Sequence, residues 1–159
     1  AGGFLAIWTI GYGFIQSVAP ILLKRSQDGL SKEVPEARLW IIIMIFVPAS
    51  LLLAFAFHNK LFTSPDLLVV TGLIIFGIPF ALNSSLHSYL ILAYAGSKKA
   101  AEDVGFYYAG NAVGRLIGTL LSGILFQSGG LVACIIGSLV MLMICGYFTF
   151  RLPISSIKK

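Results

Sequence analysis

Residues 104–127, VGFYYAGNAVGRLIGTLLSGILFQ, make a run of 24 mostly apolar residues whose only charge is Arg115. A helix needs roughly 20 such residues to cross a bilayer, so this run is long enough to span one. A charged group at its centre costs at least about 2.5–3.5 kcal/mol on the mildest insertion scale. Something in the protein must hold or use that charge. Arg115 stands eleven residues from one end of the run and twelve from the other, too deep to extend its head group easily to an interface. Binding of an anion is the reading this position favours. Pairing with backbone carbonyls near the neighbouring glycines is the structural alternative.

Two stripes run along the same segment. Gly110, Gly114, Gly118 and Ser122 recur every fourth residue and form a small-residue face that lets a second helix backbone come close. Tyr108, Asn111, Arg115 and Thr119, spaced by three and four, stack a phenol, an amide, a guanidinium and a hydroxyl on one side. The first stripe reads as helix packing and the second as the lining of a cavity.

The chain as a whole obeys the same constraint. Of its 159 residues 58% are hydrophobic and 11% charged, too little polar surface for a soluble domain of this size. Apolar runs at about 2–23, 39–57, 67–95, 104–127 and 131–150 predict an all-α membrane protein with five transmembrane helices. The net charge of +5 does not indicate nucleic acid, because the basic residues lie between the runs and not on a stripe interleaved with aromatics. Lys24, Arg25, Lys32, Arg38, Lys98, Lys99, Arg151, Lys158 and Lys159 fall on one side of a five-span arrangement and Lys60 alone on the other. That asymmetry places the long loop 24–38 and the tail 151–159 in the cytoplasm, with the chain in the cell (inner) membrane. The chain opens with Ala1 directly on an apolar run, and an odd number of spans puts its ends on opposite sides. A piece of a larger bundle is expected.

Polar residues are distributed unevenly among the spans. The first carries Thr9, Tyr12 and Gln16 at helical spacing, and lipid tails offer an amide no partner, so Gln16 should face helices or water. The third is long, with a kink expected at Gly77-Ile78-Pro79. Beyond it come Asn83, Ser84, Ser85, His87, Ser88 and Tyr94, with Asn83, His87 and Tyr94 on one face. His87 suits either a structural hydrogen bond or a role with substrate or protons. The second and fifth spans lack a polar face and read as peripheral, and His58 reads as interfacial with no function. Linkers are expected at 96–103 and 128–130. Cys134 and Cys145, eleven residues apart, would lie about 16 Å apart along a helix, so they neither bridge each other nor share a metal. No metal site and no cofactor is expected.

Three polar-striped spans beside two plain ones resemble the second half of a major facilitator superfamily transporter, built from two six-helix halves around a central site. The strings NSSLHSYLILAYA (83–95) and DVGFYYAGNAVGRLIGTLLSGILFQSGGLVACIIGS (103–138), with GGFLAIWTIGYGFIQSVAP near the start, resemble the ArsJ-type permeases of arsenic operons. The resemblance implies that the five spans are most of the C-terminal half, with the N-terminal half and one helix absent. It implies export of 1-arseno-3-phosphoglycerate, the ester that glyceraldehyde-3-phosphate dehydrogenase makes from arsenate, and so a functional link to that enzyme. Candidate substrate residues are Arg115, Asn111, Tyr108, His87, Asn83, Gln16 and Tyr12, with Arg115 able to fork two bonds to a phosphate or carboxylate. No Asp or Glu lies inside a span, so a coupling carboxylate would sit in the absent half unless His87 serves.

Other classes predict different features. A drug or sugar exporter would show the same bundle. A non-transporting membrane subunit would use the glycine stripe for contacts and keep Arg115 as a structural ion. An intramembrane serine protease would need Ser84 or Ser85 paired with His87, all within three residues on one helix and without a glycine-framed nucleophile.

Overall fold

The computed structural model describes residues 2–23, 30–57 and 64–154, apart from the side chains of 65 and 96–99. Expectations placed on Lys24, Arg25, His58, Lys60, Lys158 and Lys159, and on the side chains of Lys98 and Lys99, lie outside the described residues.

The described chain is helical: α1 (Gly2–Leu22), α2 (Glu33–Ala56) and α3 (Pro65–Phe150). Four stretches are long and apolar enough to cross a membrane, namely Gly2–Leu22, Glu33–Ala56, Asp66–Ala95 and Ala100–Phe150. Local chemistry explains where the helices start. Glu33 and Glu36 stand in the first turn of α2, where the helix dipole favours negative charge, and Pro35 replaces an amide that would have no partner there. The helix thus begins at Glu33, six residues before the expected 39, and the loop expected over 24–38 ends at Lys32. The first turn of α2 is also anchored by burial, since Val34 and Ala37 pack with Leu30, Leu86 and Leu90 in the main core cluster. Extended backbone at Ser64, then Pro65 and Asp66, starts α3.

Helical residues follow one another from Pro65 to Phe150, through the expected linkers at 96–103 and 128–130 and through Pro79, apart from left-handed backbone at Gly130. This is not one straight rod. Nineteen residues of straight helix would separate Ser88 from Tyr107 by about 28 Å, yet their hydroxyls lie 3.3 Å apart. Twelve residues would separate Ser122 from Cys134 by about 18 Å, yet Cys134 Sγ donates to the Ser122 carbonyl at 3.5 Å. The chain therefore doubles back twice within α3. At the second reversal Gly130 takes φ +62°, left-handed backbone that a side chain would disfavour.

The stretch Asp66–Ala95 is the hub. Trp8, Tyr12 and Gln16 of α1 meet Leu73, Phe80 and Ser84 in ascending order, so α1 runs parallel to it. On its other side α2 runs antiparallel, Val34 near Leu90 and Leu51 beside Gly72. Gly146 lies against Ile41 and Ile45 of α2, which brings the end of α3 to the same back layer. Residues 108–120 are all exposed. The part of α3 that carries Arg115 thus lies along an uncovered flank.

One end of the back layer is clamped by Arg38. Its Nη2 donates to the carbonyls of Phe150 at 3.1 Å and Leu152 at 2.8 Å, and its guanidinium lies 5.7 Å from the centre of the Phe150 ring. The Tyr94 hydroxyl donates to the Pro153 carbonyl beside it. A cation at carbonyls left without helical partners is favourable twice over, as a donor and against the dipole. Arg38→Ala should lower stability by about 1.5–3 kcal/mol, the range for hydrogen bonds to a charged group. Arg38→Lys should recover part of that, because an ammonium keeps the charge but not the planar fork. Thermal unfolding of the two variants in detergent checks the order, and equal melting of Arg38→Ala and wild type would remove the clamp.

Candidate functional site

Between α1 and the two reversing parts of α3 lies a cavity of about 370 Å³. Gln16 and Pro20 line it from α1, Ser85, Ser88 and Tyr89 from the hub, and Tyr107 and Tyr108 from the segment after the first reversal. All three polar-striped segments of the sequence contribute to this one space. Its size is ordinary for a small-molecule site.

The walls are set by hydrogen bonds between helices. Gln16 Nε2 donates to Ser84 Oγ at 3.2 Å, which joins α1 to the hub. Ser88 Oγ donates to the Ser84 carbonyl at 3.0 Å, so its bond with the Tyr107 hydroxyl at 3.3 Å has the phenol as donor. The Tyr107 and Tyr108 rings meet edge to face at 5.5 Å between centres. Below this layer, Trp8 stacks on Tyr12 at 5.9 Å and Tyr12 packs on Phe80 at 5.3 Å. Tyr12 is thus part of an aromatic ladder and not of the cavity wall.

The other sequence candidates separate into two groups. Asn83 and His87 turn toward the end of α3. His87 Nδ1 donates to the Asn83 carbonyl at 2.9 Å, Nε2 lies 3.5 Å from Thr149 Oγ1, and both Asn83 and Thr149 are buried. Among the described residues Asn83 Oδ1 is buried without a hydrogen-bond partner. Asn111 and Arg115 lie on the exposed flank, and no hydrogen bond or ion pair to either side chain occurs among the described residues. Arg115 is seven residues beyond Tyr108, two helical turns or about 10.5 Å along the axis, on nearly the same face.

Glycines take different parts from those their spacing suggests. A side chain at Gly110, Gly114 or Gly118 would meet nothing within 4 Å, and Ser122 offers only its carbonyl, to Cys134. Close approach occurs instead at Gly72, Gly77, Gly137 and Gly146. Spacing sets which residues share a face but not what that face meets.

Sequence reasoning singled out Tyr108 and passed over its neighbour Tyr107, which makes the cross-helix bond. It also favoured the Asn83–His87 face over the Ser84–Ser88 face one residue on. A usable signal was present: Ser84, Ser85, Ser88 and Tyr89 sit at helical spacing beside the chosen stripe. No group of three or more His, Cys, Asp or Glu that could hold a metal occurs among the described residues, and Cys134 and Cys145 are free thiols.

Compared with family models, curated proteins and solved structures, the chain matches none.

Proposed function

We propose that this chain forms most of the C-terminal half of a major facilitator-type exporter and contributes one wall of its substrate site. The carrying observation is the cavity whose lining includes Gln16, Ser88 and Tyr108 from three separate segments, while α2 contributes nothing to it. Read with the two reversals of α3, the chain crosses the membrane five times. On this reading the exposed flank with Gly110, Gly114 and Gly118 meets the other half of the transporter, and Arg115 faces the space between the halves.

The cargo is a small organic anion. Arg115 supplies a charge with no protein partner among the described residues, and Asn111 and Tyr108 stand on the same side of the helix as further donors. The resemblance to ArsJ-type permeases selects 1-arseno-3-phosphoglycerate, made by glyceraldehyde-3-phosphate dehydrogenase, with arsenate resistance as the outcome. The transporter sits in the inner membrane with its C-terminus in the cytoplasm, as the distribution of Lys and Arg favours. We read it as a carrier and not an enzyme. His87 bonds to Asn83 and approaches Thr149, and Ser84 bonds to Gln16, which supports the carrier reading.

The test uses everted membrane vesicles from cells expressing the complete gene. Arsenic uptake should require arsenate, glyceraldehyde-3-phosphate, NAD and the dehydrogenase together. Uptake from arsenate alone, or none from the full mixture, would overturn the arsenic ester as cargo.

A further inference from the structure

We infer that the cavity behind Arg115 is a charge-free subsite for the hydroxylated part of an organic anion, with Ser88 and Tyr107 setting the preference for hydroxyl groups. This rests on the reading of Arg115 as the anion site and adds a second, chemically different contact to it.

Among the described residues the lining contains no Asp, Glu, Lys, Arg or His. It therefore offers an ion no counter-charge, and polar contacts there must be neutral. Proton accounting then shows what kind of neutral group fits. Ser88 spends its proton on the Ser84 carbonyl, so Tyr107 must donate to Ser88. The Tyr107 oxygen is left as an acceptor toward the cavity. Gln16 spends one N–H on Ser84 and keeps its second N–H and its amide oxygen. Donors and acceptors thus stand side by side on two different helices. A phosphate or carboxylate only accepts and an ammonium only donates, whereas an alcohol does both. The rings of Tyr89, Tyr107 and Tyr108 add apolar faces for the carbon chain that bears the alcohols.

Spacing couples the two contacts. Tyr107 and Arg115 are eight residues apart, about 12 Å along the helix axis and about 80° around it, and the long Arg115 side chain can span part of that gap. One ligand can reach both if its anionic group and its hydroxyls are separated by a short carbon chain. An inorganic oxyanion would fill only the Arg115 end, and an uncharged polyol only the other.

The matched probes are glycerol 3-phosphate, with two hydroxyls, and propyl phosphate, with none, titrated calorimetrically against the purified full-length transporter. Wild type should bind both, glycerol 3-phosphate about tenfold more tightly, as expected for one or two neutral hydrogen bonds. In the double variant Ser88→Ala, Tyr107→Phe that ratio should fall to about one, with propyl phosphate affinity retained and the melting temperature lowered only by the loss of the Ser88–Tyr107 bond. A ratio that persists in the variant, or no preference in wild type, overturns the hydroxyl subsite and leaves the anion site standing. Loss of both affinities together in the variant overturns it too, because the pair would then be structural. Failure of wild type to bind either phosphate overturns the anion reading of Arg115, and this subsite with it.

Discussion

On the proposed exporter reading, Arg115→Gln in the complete protein is expected to reduce arsenic uptake at least thirtyfold while leaving the protein folded. Removing one partner of a desolvated, hydrogen-bonded charge pair costs about 2–5 kcal/mol, and 2 kcal/mol is already a factor of about thirty. Glutamine keeps one donor pair but is shorter and loses the charge and the fork. Arg115→Lys should fall between the two, because an ammonium attracts an anion as a point charge without bidentate geometry. Folding should be almost indifferent to either change. The side chain is exposed and makes no hydrogen bond or ion pair among the described residues, so nothing in the helix bundle is lost with it. The two outcomes separate the two roles a membrane arginine can have. Lost uptake with unchanged melting supports an anion site. Lost stability would mean that the guanidinium holds backbone carbonyls in the assembled transporter, and uptake equal to wild type would end the assignment.

What could be read from the sequence, and what could not, follows from the kind of information spacing carries. The helical runs were legible because twenty apolar residues in succession have few other solutions. Their ends were less so. Glu33 and Val34 read as loop, yet the dipole accepts the first and the core takes the second, so α2 starts earlier than its apolar run. Around the site, periodicity marked three polar segments, and the cavity has lining residues from all three. It did not say which polar face looks into the cavity. Asn83 and His87 share a face, Ser84 and Ser88 share the next, and only their partners, Thr149 on one side and Gln16 with Tyr107 on the other, distinguish them. The partners lie up to 68 residues away in sequence, beyond any local pattern.

The same limit makes Gly77, and not the regular glycine stripe, a position where a larger side chain should damage folding. A methyl carbon at Gly77 would lie 3.0 Å from Trp8 Nε1 and 3.3 Å from Cε2, closer than an indole tolerates without moving. That indole donates to the Leu73 carbonyl at 2.8 Å and begins the stack that continues through Tyr12 and Phe80 to Phe76. Few other contacts hold α1, in which Ala19 is the one fully buried residue. Gly77→Ala can be met by a shift of a few tenths of an ångström, whereas Gly77→Leu must expel the ring and break the hydrogen bond. Overpacking of about 1–3 kcal/mol together with a lost hydrogen bond of about 1 kcal/mol gives roughly 2–4 kcal/mol of destabilisation for the leucine variant. Two measurements follow it. Thermal unfolding in detergent should fall clearly below wild type, and a disulfide between cysteines placed at Gln16 and Ser84, which are in contact in the native bundle, should form in lower yield. Wild-type melting together with full cross-linking in Gly77→Leu would mean that α1 is held elsewhere, and that the wall it gives the cavity does not depend on the Trp8 contact.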